Sequence, residues 1–249
     1  MADPRSNSSE RRAPEWLART TYTHRGLHGP TVPENSLEGA QGAIKAGFGI
    51  ECDVQRSGEG TAFVFHDFEL DRLTQTRGYV DHCHDADLAK LSLLGTSQSP
   101  VPLTRFLSVI AARVPLLIEI KSKPDYDPAP TCQSVAAALR EYSGPCAVMS
   151  FDPRVAIWFH ARCPHNPIGL VGTDSLPNGF ETVWRDPDIL ARANPDFLAV
   201  DCRDLACASA VDWRASGKPL LSWTIRTKAD RDAARPLADA LIAEAEGLS

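Results

Sequence analysis

The sequence predicts an α/β fold, a (β/α)8 TIM barrel with a small insertion after the strand that ends at His66. Three observations predict it. Nine short apolar runs alternate with stretches of helical periodicity, the pattern of βα units wrapped around a parallel sheet. At 249 residues, the chain has the length that α/β barrels use as one domain. One of the nine runs follows its predecessor after a link too short for a crossover helix, which leaves eight for a closed barrel.

Taken in order, residues 1–15 are polar, contain Pro4, Pro14 and a Ser/Asn cluster, and are expected to form a loose N-terminal arm. The barrel domain is expected to occupy residues 16–249. "TYTH" (21–24) is the first strand, followed by the helical "SLEGAQGAIKAG". "GIECDV" (49–54) is the second, and "QRSGEGT" turns it back as a hairpin into the surplus strand "AFVFH" (62–66). Residues 67–100 lack clean periodicity and carry Gly78, Gly95 and Pro100, so an inserted loop or small subdomain is expected there. The remaining strands are "LLIEI" (116–120), "CAVMS" (146–150), "IGLV" (168–171), "FLAV" (197–200), "LLSWTI" (220–225) and "ADALIA" (238–243). Helical stretches stand before and between them, from "LTRFLSVIAAR" to "TKADRDAARPLADA".

Composition narrows the function. Hydrophobic residues make up 43% and charged residues 23%, the balance of a packed globule rather than a disordered chain. A formal net charge of −6 with no basic run argues against a nucleic-acid-binding face. The first twenty residues lack the apolar segment of a secretory leader, and no apolar run is long enough to span a bilayer. Seven scattered cysteines without a Cys-x-x-Cys pair fit reduced thiols, so a cytoplasmic protein without stable membrane insertion is expected. "DHCHD" (81–85) crowds two histidines and a cysteine into one short segment without distant partners, and is expected to be a solvated loop.

The chemistry concentrates at strand ends. In "GIECDV", Glu51 and Asp53 are two residues apart and project from the same face, while Ile50, Cys52 and Val54 face the other layer. In "LLIEIK" the same period puts Glu119 and Lys121 on one face near the C-terminal end, where barrel active sites lie. Three carboxylates brought together repel unless a cation neutralises them, and an all-oxygen set suits Mg2+ or Ca2+. His24 and His66 end strands beside these acids and supply the acid and base that displacement at phosphorus needs. Arg25 and Lys121 are suited to hold non-bridging phosphate oxygens.

"HRG" (24–26), "PENS" (33–36), "IECDV" (50–54), "FHDFELDRLT" (65–74), "VPLTRFL" (101–107), "IEIK" (118–121), "SF" (150–151) and "WTI" (223–225) together resemble the ordered motifs of the glycerophosphodiester phosphodiesterase family. The resemblance implies a barrel related to the phosphatidylinositol phospholipases C, a divalent ion, and cleavage of a small glycerophosphodiester to glycerol 3-phosphate and an alcohol. It implies His24 and His66 as the acid/base pair, Glu51, Asp53 and Glu119 as metal ligands, and Arg25 and Lys121 as phosphate contacts. Glu34 and Asn35 match a supporting motif, Trp223 matches an aromatic beside the glycerol side, and the insertion matches a small cap. Asp67 is expected only as a partner that orients His66.

Two departures stand out. Arg226 follows "WTI" where many members have Asn, and "ADALIAEAEGLS" lacks the usual Asp-Pro ending, with Glu244 at most a shifted substitute. Two alternatives are carried alongside: a lysophospholipase D-type hydrolase on the same scaffold, which needs an apolar groove, and a non-catalytic barrel that binds without reacting. Oligomeric state is not readable from the sequence.

Overall fold

The computed structural model describes residues 13–175, 177 and 179–249; residues 1–12 of the expected arm lie outside the described residues. A one-turn helix α1 (Trp16–Arg19) leads into β1 (Tyr22–Thr23), α2 (Leu37–Ala46), β2 (Gly49–Arg56) and β3 (Ala62–Val64). After the insertion, with its short α3 (Asp85–Leu88), come β4 (Val101–Pro102) and α4 (Leu103–Ile110). The chain then alternates strictly: β5 (Leu116–Ile120), α5 (Ala129–Leu139), β6 (Cys146–Ser150), α6 (Pro153–Arg162), β7 (Ile168–Gly172) and α7 (Pro187–Ala193). It ends with β8 (Phe197–Asp201), α8 (Ala208–Ala215), β9 (Leu220–Ile225), α9 (Lys228–Ala234) and β10 (Ala240–Ala243).

Eight of these strands are parallel and close on themselves. β1 pairs with both β2 and β10, so the ring runs β1, β2, β5, β6, β7, β8, β9, β10. The expected hairpin is present: β3 runs antiparallel to β2 with Val54 opposite Val64. A strand that periodicity does not reveal, β4, adds to β3 with Phe63 opposite Pro102. Two residues are too few to alternate, and proline is confined to sheet edges because it cannot donate to a ladder. Several strand ends also differ from expectation by one or two residues, and two of them bear on the histidines. β1 stops at Thr23 and β3 at Val64, so His24 and His66 lie just past their strands, in the loops of the barrel mouth.

The period of two divides each strand between layers. Leu116, Ile118 and Ile120 of β5 pack outward with Phe106 and Val135 of α4 and α5, while Leu117 turns inward. Inside the barrel Leu117 meets Tyr22, Met149, Phe197, Leu221 and Leu17 of α1. Gly169 makes room for this layer, since a Cβ there would run into the Phe197 ring. The insertion has an apolar cluster of its own, with Phe65, Leu70, Leu73, Val80, Leu88 and Leu93 gathered against Phe63. His82 and His84 of "DHCHD" are exposed, as expected.

Local caps fix the loops that matter. Ser36 accepts a hydrogen bond from the Gly39 amide at 3.0 Å and starts α2 directly after Glu34 and Asn35. Thr227 and Asp230 form a reciprocal capping box that starts α9 directly after Arg226. Past β10, the 3-10 turn Ala245–Leu248 folds against the end of β9, with the Gly247 amide donating to the carbonyls of Arg226 and Glu244 at 3.1 and 3.0 Å.

Gly247 is buried, and a Cβ there would collide with the carbonyl of Ile225. Gly247→Ala is therefore expected to cost about 1–3 kcal/mol of stability through overpacking. Urea denaturation checks this: the midpoint falls while the m-value stays the same.

Candidate active site

The register between β2 and β5 sets Asp53 opposite Glu119, and the period of two brings Glu51 to the same interior face. Oxygens of all three carboxylates lie within 4.8 Å of one another, and the residues are 2, 2 and 8% exposed. Lys121 follows β5 and bends back to this group, with Nζ 2.6 Å from Glu119 Oε1 and 3.5 Å from Asp53 Oδ1. From the loop after β1, the Arg25 amide donates to Glu51 Oε2 at 2.9 Å and Arg25 Nε stands 3.3 Å from Asp53 Oδ2. Asn35 grips Asp53 twice: its Nδ2 donates to Oδ2 at 2.9 Å, and its Oδ1 accepts the Asp53 amide at 3.1 Å.

This loop is held in an uncommon shape. Arg25 and Asn35 both have left-handed backbone, with φ of 55° and 56°, a conformation that non-glycine residues keep where the surroundings enforce it. The Asn35 amide donates to the Arg25 carbonyl at 2.9 Å and closes the loop on itself.

The charges do not balance locally. Burial first, and then the neighbouring Asp53 and Glu119, push the Glu51 carboxyl well above its usual range. Burial acts in the same direction on Asp53, but His66 when protonated, with the permanent charges of Arg25 and Lys121, outweighs it and holds that carboxyl well below its usual range. Two cations thus face three carboxylates. A further cation at the cluster would relieve the repulsion, and the donor set, oxygen only, fits a hard metal ion.

Each histidine has a carboxylate behind it. His66 Nδ1 lies 2.6 Å from Asp67 Oδ1, and its Nε2 lies 3.2 Å from Lys121 Nζ. Because the ammonium can only donate, His66 there presents a lone pair at Nε2 and a proton at Nδ1. Asp67, expected only as an orienting partner, is the group that meets this Nδ1. His24 Nδ1 lies 2.6 Å from Oε2 of Glu244, which also receives His28 Nε2 at 3.2 Å. Burial lowers the His24 pKa in spite of this carboxylate, so the ring is neutral near pH 7.

Sequence reasoning missed the connectors. Arg72, inside the quoted "FHDFELDRLT", forks between Asp67 (2.6 and 3.0 Å) and Glu34 (2.8 and 2.9 Å). Glu34 passes the contact to Arg25 Nη1 at 2.7 Å, so one chain of charged bonds links His66 to the carboxylate cluster. Arg226, noted only as a departure from pattern, holds Glu244 Oε1 at 2.8 Å. Arg72 was legible as a charge in a motif and Glu244 only as a shifted substitute for the family's acid, while His28 had no signal beyond residue type.

His24, Arg25, Glu51, His66, Glu119 and Lys121 line a cavity of about 830 Å³ at the C-terminal mouth of the barrel. Trp223 lines it too: its Nε1 donates to the Ala199 carbonyl at 2.9 Å and its ring meets Phe151 edge-on at 5.5 Å. The indole is thereby fixed as a wall. Met149, Phe151, Val171, Phe180 and Ile242 extend this apolar side, while Glu69, Asp71, Arg72 and Lys123 make the insertion side polar.

Comparison with known proteins bears on what this mouth does. The glycerophosphoryl diester phosphodiesterase family profile matches residues 24–242. A glycerophosphodiester phosphodiesterase of Bacillus subtilis (strain 168) is 25% identical over 235 residues, 84% of this chain and 78% of that protein. One from Bacillus altitudinis is 27% identical over 165 residues, 62% of this chain and 67% of that one. The barrel also matches solved folds. A phosphodiesterase of Oleispira antarctica, in complex with the product sn-glycerol-3-phosphate, aligns with a TM-score of 0.77 at 22% identity over 90% of this chain and 92% of its own. A glycerophosphodiester phosphodiesterase of Thermotoga maritima aligns with a TM-score of 0.72 at 21% identity, over 90% and 94%.

Glu244 offers a pH test of the site. Burial raises its pKa, but the bonds to His24 and His28 prevail and hold it well below the usual 4.5. A depressed carboxyl stabilises the fold above its unfolded pKa and loses that contribution as pH falls. Glu244→Gln is therefore expected to be less stable than the parent at pH 7, with a gap that narrows progressively below pH 4.5. Denaturation midpoints measured across that range check the sign.

Proposed function

The chain belongs to the glycerophosphoryl diester phosphodiesterase family, and we propose that it hydrolyses glycerophosphodiesters to glycerol 3-phosphate and an alcohol using a divalent metal and two histidines. One observation carries this reading: a buried three-carboxylate cluster shares one cavity with two histidines, each backed by its own carboxylate. Glu51, Asp53 and Glu119 would hold Mg2+ or Ca2+, which supplies a Lewis acid for the phosphate oxygens.

The remaining work falls to side chains. With both Nδ1 atoms engaged by carboxylates, Nε2 is the atom through which His24 and His66 exchange protons. One histidine takes a proton from the attacking oxygen, either the substrate's vicinal hydroxyl or water, and the other gives one to the leaving alkoxide. Lys121 and Arg25 offer their charge to the non-bridging oxygens, and Arg25 Nε is a buried donor without a hydrogen bond of its own. Asp67, Glu34 and Asn35 keep His66, Arg25 and Asp53 in place. Trp223 walls the glycerol side. Seven free cysteines suit a cytoplasmic setting, and no helix among the described residues is long and apolar enough to cross a membrane.

The lysophospholipid alternative gains one point. The apolar groove it needs is absent from the insertion but is offered by the rim formed by Met149, Phe151, Val171 and Phe180. Turnover of lysophospholipid with none of glycerophosphocholine would reassign the substrate.

Excess EDTA is expected to abolish hydrolysis of glycerophosphocholine, and Mg2+ or Ca2+ to restore it; full activity in the chelator would refute the metal assignment. His24→Ala and His66→Ala are each expected to lower kcat by about two to four orders of magnitude. The two should separate on glycerophospho-p-nitrophenol, whose leaving group needs no proton. The variant lacking the acid recovers there, and the variant lacking the base does not.

A further inference from the structure

A second set of donors, separate from the carboxylate cluster, converges at His24 Nδ1. Glu244 Oε2 sits 2.6 Å from His24 Nδ1 and 3.2 Å from His28 Nε2, and the three atoms lie within 4.8 Å of one another. The geometry points to a site for a transition-metal ion of the Zn2+ type on His24, His28 and Glu244, whose occupancy inhibits hydrolysis by capturing His24. The inhibition rests on His24 being half of the acid/base pair, whereas the binding does not.

The donor chemistry separates the two clusters. Two imidazole nitrogens and one carboxylate oxygen form the ligand set of open zinc sites, whereas Glu51, Asp53 and Glu119 offer oxygen alone. Hard ions and borderline ions therefore sort to different clusters.

The spacing also suits an ion. Tetrahedral bonds of about 2.0–2.1 Å put ligand atoms about 3.3 Å apart. The His28 contact already has that span, and the His24 contact needs to open by less than about 1 Å. Strand pairing supplies the convergence: β1 lies beside β10, and the His24 amide donates to the Ala243 carbonyl at 2.8 Å, which sets His24 next to Glu244. Arg226 on Oε1 fixes the carboxylate from behind, as outer contacts do in metal sites. The side chains of His28 and Glu244 are 24 and 18% exposed, which gives an ion a path from solvent.

The effect on His24 follows from proton bookkeeping. A metal on Nδ1 displaces the proton that this nitrogen shares with Glu244, and the proton moves to Nε2. The ring stays neutral and no proton is lost, but Nε2 now carries a hydrogen and has no lone pair to accept another. Metal-bound His24 can be neither the base nor, lacking the imidazolium form, the acid.

The test uses the full chain saturated with Mg2+ or Ca2+, titrated with Co2+ by visible absorption and with Zn2+ by calorimetry and initial rates. One additional Co2+ per chain is expected to give the intense bands of a four- or five-coordinate site with nitrogen ligands, unlike the weak bands of an octahedral oxygen site. His28→Gln and Glu244→Gln should lose these bands and weaken Zn2+ binding by at least about tenfold. Zn2+ should inhibit the parent at the concentration at which it binds. His28→Gln should need at least about ten times more, read against its own zinc-free rate. Weak octahedral bands alone in the parent overturn the site, with no variant needed. Equal zinc sensitivity in His28→Gln and the parent overturns it too, because zinc then acts at the carboxylates. Tight binding with these ligands but unchanged turnover overturns the inhibition. A chain inactive on every diester would refute the hydrolase reading and leave the Co2+ result to judge the site alone.

Discussion

Three carboxylates buried at the mouth of the barrel are the constraint on which the site depends. Removing one ionised carboxylate from water costs several kcal/mol, and close neighbours of like charge add to that. Around Glu51, Asp53 and Glu119 the fold gathers whatever can offset the cost: Lys121 from the end of β5, Arg25 and its amide from the loop after β1, and Asn35 from just before α2. The left-handed backbone at Arg25 and Asn35 is the local consequence, since only that loop shape delivers an amide, a guanidinium and a side-chain amide together.

The two histidines share the cavity with the cluster and are tied to it differently. His66 belongs to an extended chain through Asp67, Arg72, Glu34 and Arg25 that returns to Asp53, so its position is coupled to the carboxylates. His24 leans away from the cluster onto Glu244, which Arg226 and His28 hold independently. Networks of this kind act as units, and their members do not contribute additively.

The period of two made the facing of Glu51 with Asp53 and of Glu119 with Lys121 legible in the sequence, and the strand alternation made the barrel legible. The register that sets Asp53 opposite Glu119 is a property of pairing between strands more than sixty residues apart, and no local pattern encodes it. Arg72 was visible only as a charge in a motif, because its fork is built when the insertion folds back over the loop after β1. Glu244 was hardest to read. It stands 220 residues from His24, and only the closing of β1 against β10 makes them neighbours. β4 escaped for the opposite reason, being too short and too proline-bound to carry a strand signature.

Closure therefore does more than complete the sheet. β1 pairs with β2 on one side and β10 on the other, so the loop after it draws Glu51 and Asp53 from the second strand of the barrel and Glu244 from the last. A barrel opened at this seam would keep its carboxylates, which sit on β2 and β5, but would lose the carboxylate behind His24. The chain's departure from the family's usual ending falls at that seam. Glu244, one residue beyond β10, meets His24 there, and His28 and Arg226 bond to the same carboxylate. What stands behind His24 is thus set by the last strand of the barrel, and the carboxylate cluster by β2 and β5.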